Sequence, residues 1–359
     1  MTTCLGFDIG GANIKVASTE GMAVHQPFPM WKAPQTLGSQ LVELLSEFPT
    51  TLPIGVTMTG ELADCFESKQ DGVNYIVKTC QETMGERAVF YQNQGQFVTA
   101  GTATQSWLQT AAANWHALTT WVAQQVESGF LFDIGSTTTD IIPFQNCTSL
   151  SIGKSDLERL CHQELIYTGV GRSPISCMLS SGAIRAHPHI ALAQELFAFM
   201  QDAYLVLGRT HPEPQNQNTA DGKPLTRNHS RQRIARLLCA DRSELINQEI
   251  EQIAQAAVTA QHAQITTGLQ KLLTTHPDLP KRFVVSGQGE WLARDIALTE
   301  AGAACEIVTF AELINKFLGP CDTGDSVANP SIDEESWVTL SDCAPAFAVA
   351  CLLKDGHDR

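Results

Sequence analysis

The hydrophobic and polar positions at the start of the chain predict a β-hairpin. Apolar residues run from Leu5 to Ile9, polar and small residues follow, and alternation resumes at Ile14. The same pattern occurs after residue 130, where "FLFDI" leads through a polar turn into "DIIPF". A period of two residues on either side of a turn is typical of paired antiparallel strands. Two hairpins are therefore predicted.

Other segments predict an alternation of strands and helices. "LPIGVTMTG" (52–60), "RAVFY" and "GQFVTAG" have strand composition, whereas 102–126, rich in Ala, Leu and Gln, predicts one long helical stretch. Two further helical segments are expected within 231–273, and "RFVVSGQGEWLAR" (282–294) predicts a strand, a glycine turn and a helix start. The apolar segment 343–353 is expected to be a helix docked on a core. The fold class is therefore α/β.

The two predicted hairpins contain an internal repeat. "FDIGGANIKVAS" (7–18) and "FDIGSTTTDIIP" (132–143) share Phe, Asp, Ile and Gly in the same order. A dinucleotide-binding turn needs GxGxxG at a helix start, but strand-forming residues follow both turns here, and no GxxxxGK[ST] occurs. The chain is therefore predicted to contain the same type of glycine-turn hairpin twice.

Length, net charge and cysteine content indicate the number of domains, the partners that are disfavoured and the cellular location that is expected. With 359 residues we expect two domains, since one core stops growing near roughly 250 to 300 residues. A net charge of -15 disfavours nucleic-acid and anionic-membrane partners. The start lacks a basic segment followed by an apolar one, and no 18-residue apolar run occurs, so a cytoplasmic protein is expected. The eleven scattered cysteines form no CxxC pair and are expected to be reduced and mostly buried.

The polar, Pro-containing segment 210–230 predicts a long loop. A structureless loop of this length in a compact domain is usually functional or disordered. The sequence of this segment is compatible with either a mobile lid or simple disorder.

The repeat, followed by a strand and "SGQGE" (286–290), resembles the actin, hexokinase and Hsp70 superfamily. The motifs "FDIGGANIK", "TMTGEL", "FDIGSTTTDI" and "GVGRSP" are most similar to its hydantoinase A/5-oxoprolinase branch. The resemblance implies two ribonuclease-H-like (actin-like ATPase) domains with a ligand cleft between them. The first would span 1–126 and be completed by the C-terminal helix at about 340–355, and the second would span 127–339 with the polar loop at 210–230.

Within that branch the whole chain resembles a group of tetrahydromethanopterin-linked one-carbon-transfer proteins, which includes an archaeal methanofuran-biosynthesis synthase. This implies a transferase that joins an aminomethyl-furan diphosphate to the phenol oxygen of tyramine, tyrosine or a glutamyl derivative and releases diphosphate. The implied partners are a small-molecule diphosphate and a phenolic acceptor, and a homo-oligomer is compatible with the sequence. Hydantoinase A proteins typically carry DxGGTxTD in the first hairpin, whereas Ala12, Asn13 and Lys15 stand at the differing positions here. This difference argues against an ATP-dependent hydrolase, and Lys15 adds a positive charge to the predicted pocket.

The resemblance implies that both hairpins hold phosphate in one cleft, because their small residues let main-chain N–H groups approach it. The alternative is a pair of ordinary tight hairpins. The predicted phosphate contacts are Gly10, Gly11, Asn13 and Lys15 at one end and Gly135, Ser136, Thr137 and Thr138 at the other.

Three carboxylates are candidates for the metal region. Asp8 and Asp133 end buried strands, where a carboxylate is costly unless paired, and both are predicted to hold Mg²⁺ through water. Capping of the turns is the alternative for both. Asp140 is either a third acidic contact or a solvated strand residue.

Two further segments are candidate ligand contacts. Gly287, Gln288, Gly289 and Glu290 lie between a strand and a helix, so their amides are predicted to face a phosphate or heterocycle. Arg172 is predicted either to clamp a phosphate or to pair with a structural carboxylate.

For the transferase, Lys15 is expected to offset the charge of the leaving diphosphate together with Mg²⁺. Glu61 and Asp64, just after a predicted strand, are candidates for the base that activates the phenol, and a structural role is the alternative for each. His187 and His189 are expected in a surface turn rather than a metal site. The competing functions are an ATP-dependent small-molecule kinase or hydantoinase/5-oxoprolinase-type ATPase, with ATP as cofactor, and a non-enzymatic nucleotide-gated switch.

Overall fold

The two repeats form the central hairpins of two separate β-sheets. A computed structural model describes residues 2–185, 187–302, 304–318 and 340–357. The first sheet has the order β3-β2-β1-β4-β5-β6. Its strands are β1 (Leu5–Ile9), β2 (Asn13–Ser18), β3 (Ala23–Pro27), β4 (Ile54–Met58), β5 (Ala88–Gln92) and β6 (Gln96–Val98).

The second sheet has the order β10-β8-β7-β13-β14, with β9 also paired to β8, and a separate hairpin joins β11 to β12. The strands of the second sheet are β7 (Ser128–Ile134), β8 (Thr139–Gln145), β9 (Thr148–Ser149), β10 (Leu165–Ile166), β13 (Arg282–Ser286) and β14 (Glu306–Thr309). The separate hairpin consists of β11 (Ser181–Ile184) and β12 (His187–Ala191).

Both sheets share one topology. In each, the repeat supplies an antiparallel hairpin, β1/β2 or β7/β8, and parallel strands follow beside its first member, β4 then β5 or β13 then β14. This is the ribonuclease-H-like arrangement, so the predicted α/β fold class and the two hairpins are confirmed. The predicted domain boundary at 339 lies outside the described residues.

Helices cover both sheets. Those packed with the first sheet are α1 (Leu37–Ser46), α2 (Lys69–Met84), α3 (Ala100–Gln105) and α4 (Trp107–Thr110), whereas α5 (Asn114–Gln125) contacts β7, β8 and β9 of the second sheet. The second sheet carries α6 (Asp156–His162), α7 (Ile175–Met178), α8 (Met200–Val206), α9 (Arg227–Arg236), α10 (Asn247–Thr275), α11 (Glu290–Ala301) and α12 (Phe310–Leu318). Single 3₁₀ turns occur at Pro34–Thr36, Gly85–Arg87 and Arg242–Glu244.

The last helix, α13 (Ala344–His357), packs on the first sheet, far from it in sequence. Two glycines allow this approach: a Cβ on Gly6 would lie 1.9 Å from the Ala346 carbonyl oxygen, and one on Gly55 would lie 2.6 Å from Val349. We call the first sheet with α1–α5 and α13 the first lobe, and the second sheet with α6–α12 the second lobe. Buried side chains of α5, α13 and the second sheet form one apolar cluster that joins the lobes.

The predicted single helix over 102–126 is wrong, because the chain breaks it into α3, α4 and α5. The hydroxyl of Thr110 donates to the carbonyls of Ala103 and Ser106, at 3.1 and 3.2 Å. Such side-chain bonds compete with helix continuation. Ala112 then takes a left-handed φ of 46°, and α5 restarts at Asn114.

The expectation of a structureless loop at 210–230 is also wrong. Glu213 and Leu225 form a β-bridge, and α9 begins at Arg227 within the segment. The carboxylate of Asp221 accepts from Arg233 and Arg236 at 2.9 and 3.3 Å, which ties the segment to α9.

The cysteines differ from the prediction as well. Of the ten described, Cys4, Cys80, Cys343 and Cys351 are buried, Cys305 is half-buried, and Cys65, Cys147, Cys161, Cys177 and Cys239 are exposed. The expectation of mostly buried thiols is therefore wrong. Over the described ranges, every helix is too short or too polar to span a bilayer.

Candidate active site

A cavity of about 230 Å³ lies between the lobes, and both repeat hairpins line it. We call it the interlobe cavity. The first hairpin contributes Asp8, Gly10, Gly11, Ala12, Asn13 and Lys15, and the second contributes Asp133, Gly135, Ser136, Thr137, Thr138 and Asp140. The structure thus brings together all the phosphate and metal candidates that the repeat predicted.

The first hairpin pairs a carboxylate with an ammonium group. Asp8 on β1 stands opposite Lys15 on β2. Burial raises the pKa of Asp8 and Lys15 opposes that rise, while Asp8 Oδ1 is buried without a hydrogen-bond partner among the described residues. Burial disfavours the Lys15 ammonium, but the acidic groups around it, Asp8 foremost and then Cys343, outweigh this effect and raise its pKa. Lys15 is therefore a charged group inside the cavity, not an edge lysine facing solvent.

The second hairpin pairs two carboxylates at the equivalent positions. Asp133 on β7 stands opposite Asp140 on β8. Burial, helped by Asp140, raises the pKa of Asp133 to about 6, although Ser286 Oγ donates to Asp133 Oδ1 at 2.6 Å. The same register position thus carries Lys15 in one hairpin and Asp140 in the other.

Asp140 is buried and held in an ion pair, so the alternative of a solvated strand residue is wrong. Its carboxylate accepts from the guanidinium of Arg159, which is only 2 % exposed. Arg159 also lies over the Trp115 ring, with 4.3 Å between the guanidinium carbon and the ring centroid. Burial outweighs the arginine and raises the pKa of Asp140. Sequence reasoning missed Arg159, which no motif marks.

Glu61 is buried at the cavity wall, immediately after β4. Its side chain is 1 % exposed, and burial raises its pKa to about 7. Lys69 Nζ lies 3.9 Å from Oε1, and Oε2 has no hydrogen-bond partner among the described residues. Lys69 in turn binds Asp156 of the second lobe at 2.9 Å. A buried carboxyl with a pKa near neutrality suits proton transfer.

Asp64, the other candidate base, is exposed and does not line the cavity. The chain leaves the cavity wall after Leu62, and α2 packs closely against the backbone at Glu61: a Cβ on Gly72 would lie 2.1 Å from the Glu61 carbonyl oxygen. The structure therefore places only Glu61 of this pair at the site.

The prediction of ligand contacts at Gly287, Gln288, Gly289 and Glu290 is not borne out by their position, since none lines the interlobe cavity. Three of the four amides bond within the protein. The Gly287 amide donates to Ser341 Oγ at 3.2 Å. The Gly289 amide donates to the Ile134 carbonyl at 2.8 Å, and the Glu290 amide donates to the Gly287 carbonyl at 3.0 Å.

The same turn instead supports the second hairpin from behind. Gly287 has a φ of 84°, and a Cβ there would lie 2.7 Å from Asp133 Oδ1. The turn thus packs against Asp133, and a role of its residues in ligand binding stays a prediction.

Arg172 lines the cavity and reaches across to the first lobe. Its guanidinium carbon lies 4.6 Å from the centroid of the Trp31 ring, and its backbone N–H donates to the Ser136 carbonyl at 2.8 Å. Within the described ranges, no carboxylate oxygen lies within 4 Å of this guanidinium, so no described residue provides the structural ion pair that was the alternative.

The fit of Mg²⁺ rests on the donor set of the two hairpins. In the part of the chain that the structure describes, no group of three or more His, Cys, Asp or Glu side chains is arranged to hold a metal. Two carboxylates, one with an unpartnered buried oxygen, match an ion that takes its other ligands from water and phosphate. His187 and His189 are exposed, as expected, but they lie in strand β12 rather than in a turn, and neither lines the interlobe cavity.

Comparison with known proteins identifies relatives along the whole chain. The chain is 32% identical over 366 residues to (4-{4-[2-(gamma-L-glutamylamino)ethyl]phenoxymethyl}furan-2-yl)methanamine synthase of Methanocaldococcus jannaschii, covering 99% of this chain and 98% of the relative. It is 31% identical to the synthase of the same name from Methanococcus vannielii, over 65% of this chain and 95% of that one.

Among solved structures, the ROK hexokinase from Thermus thermophilus aligns with 99% of this chain and 100% of its own, at 14% identity and a TM-score of 0.41. The hydantoinase/oxoprolinase family model matches residues 54–319, which is more than half of the sequence. From this match and the full-length relative, the chain belongs to the hydantoinase/oxoprolinase family.

Proposed function

We propose that this protein is a transferase that joins an aminomethyl-furan diphosphate to the phenol oxygen of γ-glutamyltyramine and releases diphosphate. The relatives at about a third identity carry the name of a synthase whose product contains this aryl ether. The observation within the chain that carries the proposal is Lys15, a half-buried cation opposite Asp8 in a cavity lined by two glycine-turn hairpins.

The hairpins supply what a leaving diphosphate requires. The backbone N–H groups of Gly10 and Gly135 close their own turns, each with a 2.9 Å bond to the Asn13 or Thr138 carbonyl. The donors that line the cavity are the hydroxyls of Ser136, Thr137 and Thr138, and Lys15 adds a positive charge. Mg²⁺ held by Asp8 and Asp133 would neutralise further charge on the diphosphate when bound. These groups stabilise the negative charge that develops as the bond to the furan methylene carbon weakens.

Glu61 supplies the base. A phenol has a pKa near 10, so attack at neutral pH is helped by a carboxylate that accepts its proton. In the reaction, the bond between the methylene carbon and the diphosphate oxygen breaks, and its electron pair leaves with the diphosphate. The phenol oxygen forms the new bond to the same carbon, and its proton passes to the Glu61 carboxylate.

The test is a reaction of the purified protein with aminomethyl-furan diphosphate, γ-glutamyltyramine and Mg²⁺, in the absence of ATP. We expect equal amounts of diphosphate and of the aryl ether, measured by phosphate assay after pyrophosphatase treatment and by mass spectrometry. Formation of ADP from ATP, with no ether from the diphosphate, would instead establish an ATP-dependent kinase or hydrolase.

A further inference from the structure

We propose that the outer part of the interlobe cavity binds the acceptor, with its aromatic ring between Leu62 and Tyr167 and its distal carboxylate on Arg172. The inference rests on the proposed function and assigns the subsite that selects the acceptor. We call Leu62, Tyr167, Arg172 and Trp31 the mouth cluster.

Two apolar side chains of the mouth cluster remain exposed although they line the cavity. Leu62 of the first lobe is 58 % exposed, and Tyr167 of the second lobe is 59 % exposed. Apolar surface left open at the edge of a ligand cavity is typical of a site that a ligand covers. A flat aromatic ring suits the gap between an aliphatic side chain and an aromatic one.

The order of residues along the chain gives this subsite a direction. Glu61 is 1 % exposed, and the next residue, Leu62, is more than half exposed, so the cavity wall runs from a buried carboxylate to an open apolar side chain. An acceptor whose phenol oxygen meets Glu61 therefore has its ring beside Leu62. Its para substituent then points towards the exit.

Arg172 is placed to meet a negative group at that exit. The guanidinium carbon lies 4.6 Å from the Trp31 centroid, and the phenolic group of Tyr167 is an electrostatic neighbour. The N–H donors of a guanidinium lie in its plane. A guanidinium that lies over an aromatic ring therefore leaves these donors free to bind a carboxylate bidentately. With no carboxylate of the described residues within 4 Å, these donors face the cavity and not a protein acid.

The surroundings of Arg172 favour the acceptor over the diphosphate. The hairpins and Lys15 already provide hydroxyls and a cation for a diphosphate. Arg172 instead has aromatic neighbours, which match a substrate that combines a ring with a carboxylate. A γ-glutamyl group carries such a carboxylate, whereas tyramine lacks it.

The experiment compares γ-glutamyltyramine with tyramine at saturating aminomethyl-furan diphosphate, in wild type and in R172Q. We expect the wild type to prefer the glutamyl acceptor in kcat/KM, and R172Q to reduce that preference about ten- to a hundredfold, as for one lost charge-assisted interaction. Y167A should raise KM for both acceptors while Y167F does not. R227Q, at an exposed arginine on α9, is the matched control.

A different pattern would overturn the inference. If R172Q raises the KM of the diphosphate and leaves the acceptor preference unchanged, Arg172 is a phosphate contact. Calorimetric titration of each acceptor into wild type and R172Q, with circular dichroism to check folding, tests the same preference without turnover. A wild type that binds γ-glutamyltyramine through Arg172 but forms no ether refutes the proposed reaction and not this subsite, whereas equal binding by R172Q refutes the subsite.

Discussion

Replacement of Glu61 by Gln should make the stability of the protein less dependent on pH. Glu61 is almost fully buried, and burial raises its pKa from 4.5 to about 7. A carboxyl group with a raised pKa in the folded state favours folding fully below its unfolded pKa, and this contribution is lost as pH rises through the folded pKa. At about 1.4 kcal/mol per pKa unit, the full loss is about 3 kcal/mol.

The variant Glu61→Gln has no charge to bury, so it should gain stability relative to wild type as pH rises. We expect the difference in the free energy of unfolding to shift by about 2 to 3 kcal/mol between pH 5 and pH 8.5, from urea denaturation without Mg²⁺. Glu47→Gln removes an exposed carboxylate and controls for the change in net charge. A difference that is the same at both pH values would refute a buried Glu61 whose pKa is raised to about 7.

The remaining predictions concern the hairpins and α13. Asp8→Asn and Asp133→Asn should each abolish Mg²⁺-dependent turnover and keep cooperative unfolding, measured by diphosphate release and urea denaturation, because both carboxylates organise the site. Lys15→Ala should weaken Mg²⁺-diphosphate binding by about 1.5 to 3 kcal/mol in calorimetric titration, and Lys15→Asp should weaken it more. Gly6→Ala should destabilise the protein by more than about 2 kcal/mol in urea denaturation, since its Cβ would lie 1.9 Å from the Ala346 carbonyl oxygen.

Each of these three predictions has an outcome that would contradict it, and two of them have a matched control variant. Lys78→Ala removes an exposed lysine of α2, and equal diphosphate binding by the Lys15 and Lys78 variants would contradict the placement of Lys15 at the phosphate. Near-wild-type turnover of either aspartate variant at low Mg²⁺ would refute the metal assignment. Gly101→Ala, at a helical glycine with open space around its Cβ position, is the control for Gly6, and equal stability of the two variants would refute tight packing of α13.

The sequence was sufficient for features that depend on local pattern. The FDIG repeat predicted both hairpins, and Asp8 and Asp133 were selected because they end its buried strands. Lys15 was selected because it differs from the motif of the family that the repeat resembles. Glu61 was found because it directly follows a predicted buried strand.

Features that depend on tertiary contacts were missed or wrongly interpreted. Arg159 meets Asp140 only because α6 folds back over β8, and the two lie 19 residues apart without a shared motif. The glycine turn at 286–290 looked like a ligand surface, but Ser341, brought close by α13, takes the Gly287 amide and leaves it unavailable. The partner of an amide cannot be inferred from the turn sequence alone.

The position of α13 has a consequence for synthesis of the protein on the ribosome. The helix covers the face of the first sheet at Gly6 and Gly55, yet it is made about 290 residues after β4. During translation the second lobe can complete its sheet first, while that face of the first sheet stays open to water and to chaperones. The first lobe to be synthesised is therefore the last to close, and the hairpin with Asp8 and Lys15 becomes fixed only when α13 has left the exit tunnel.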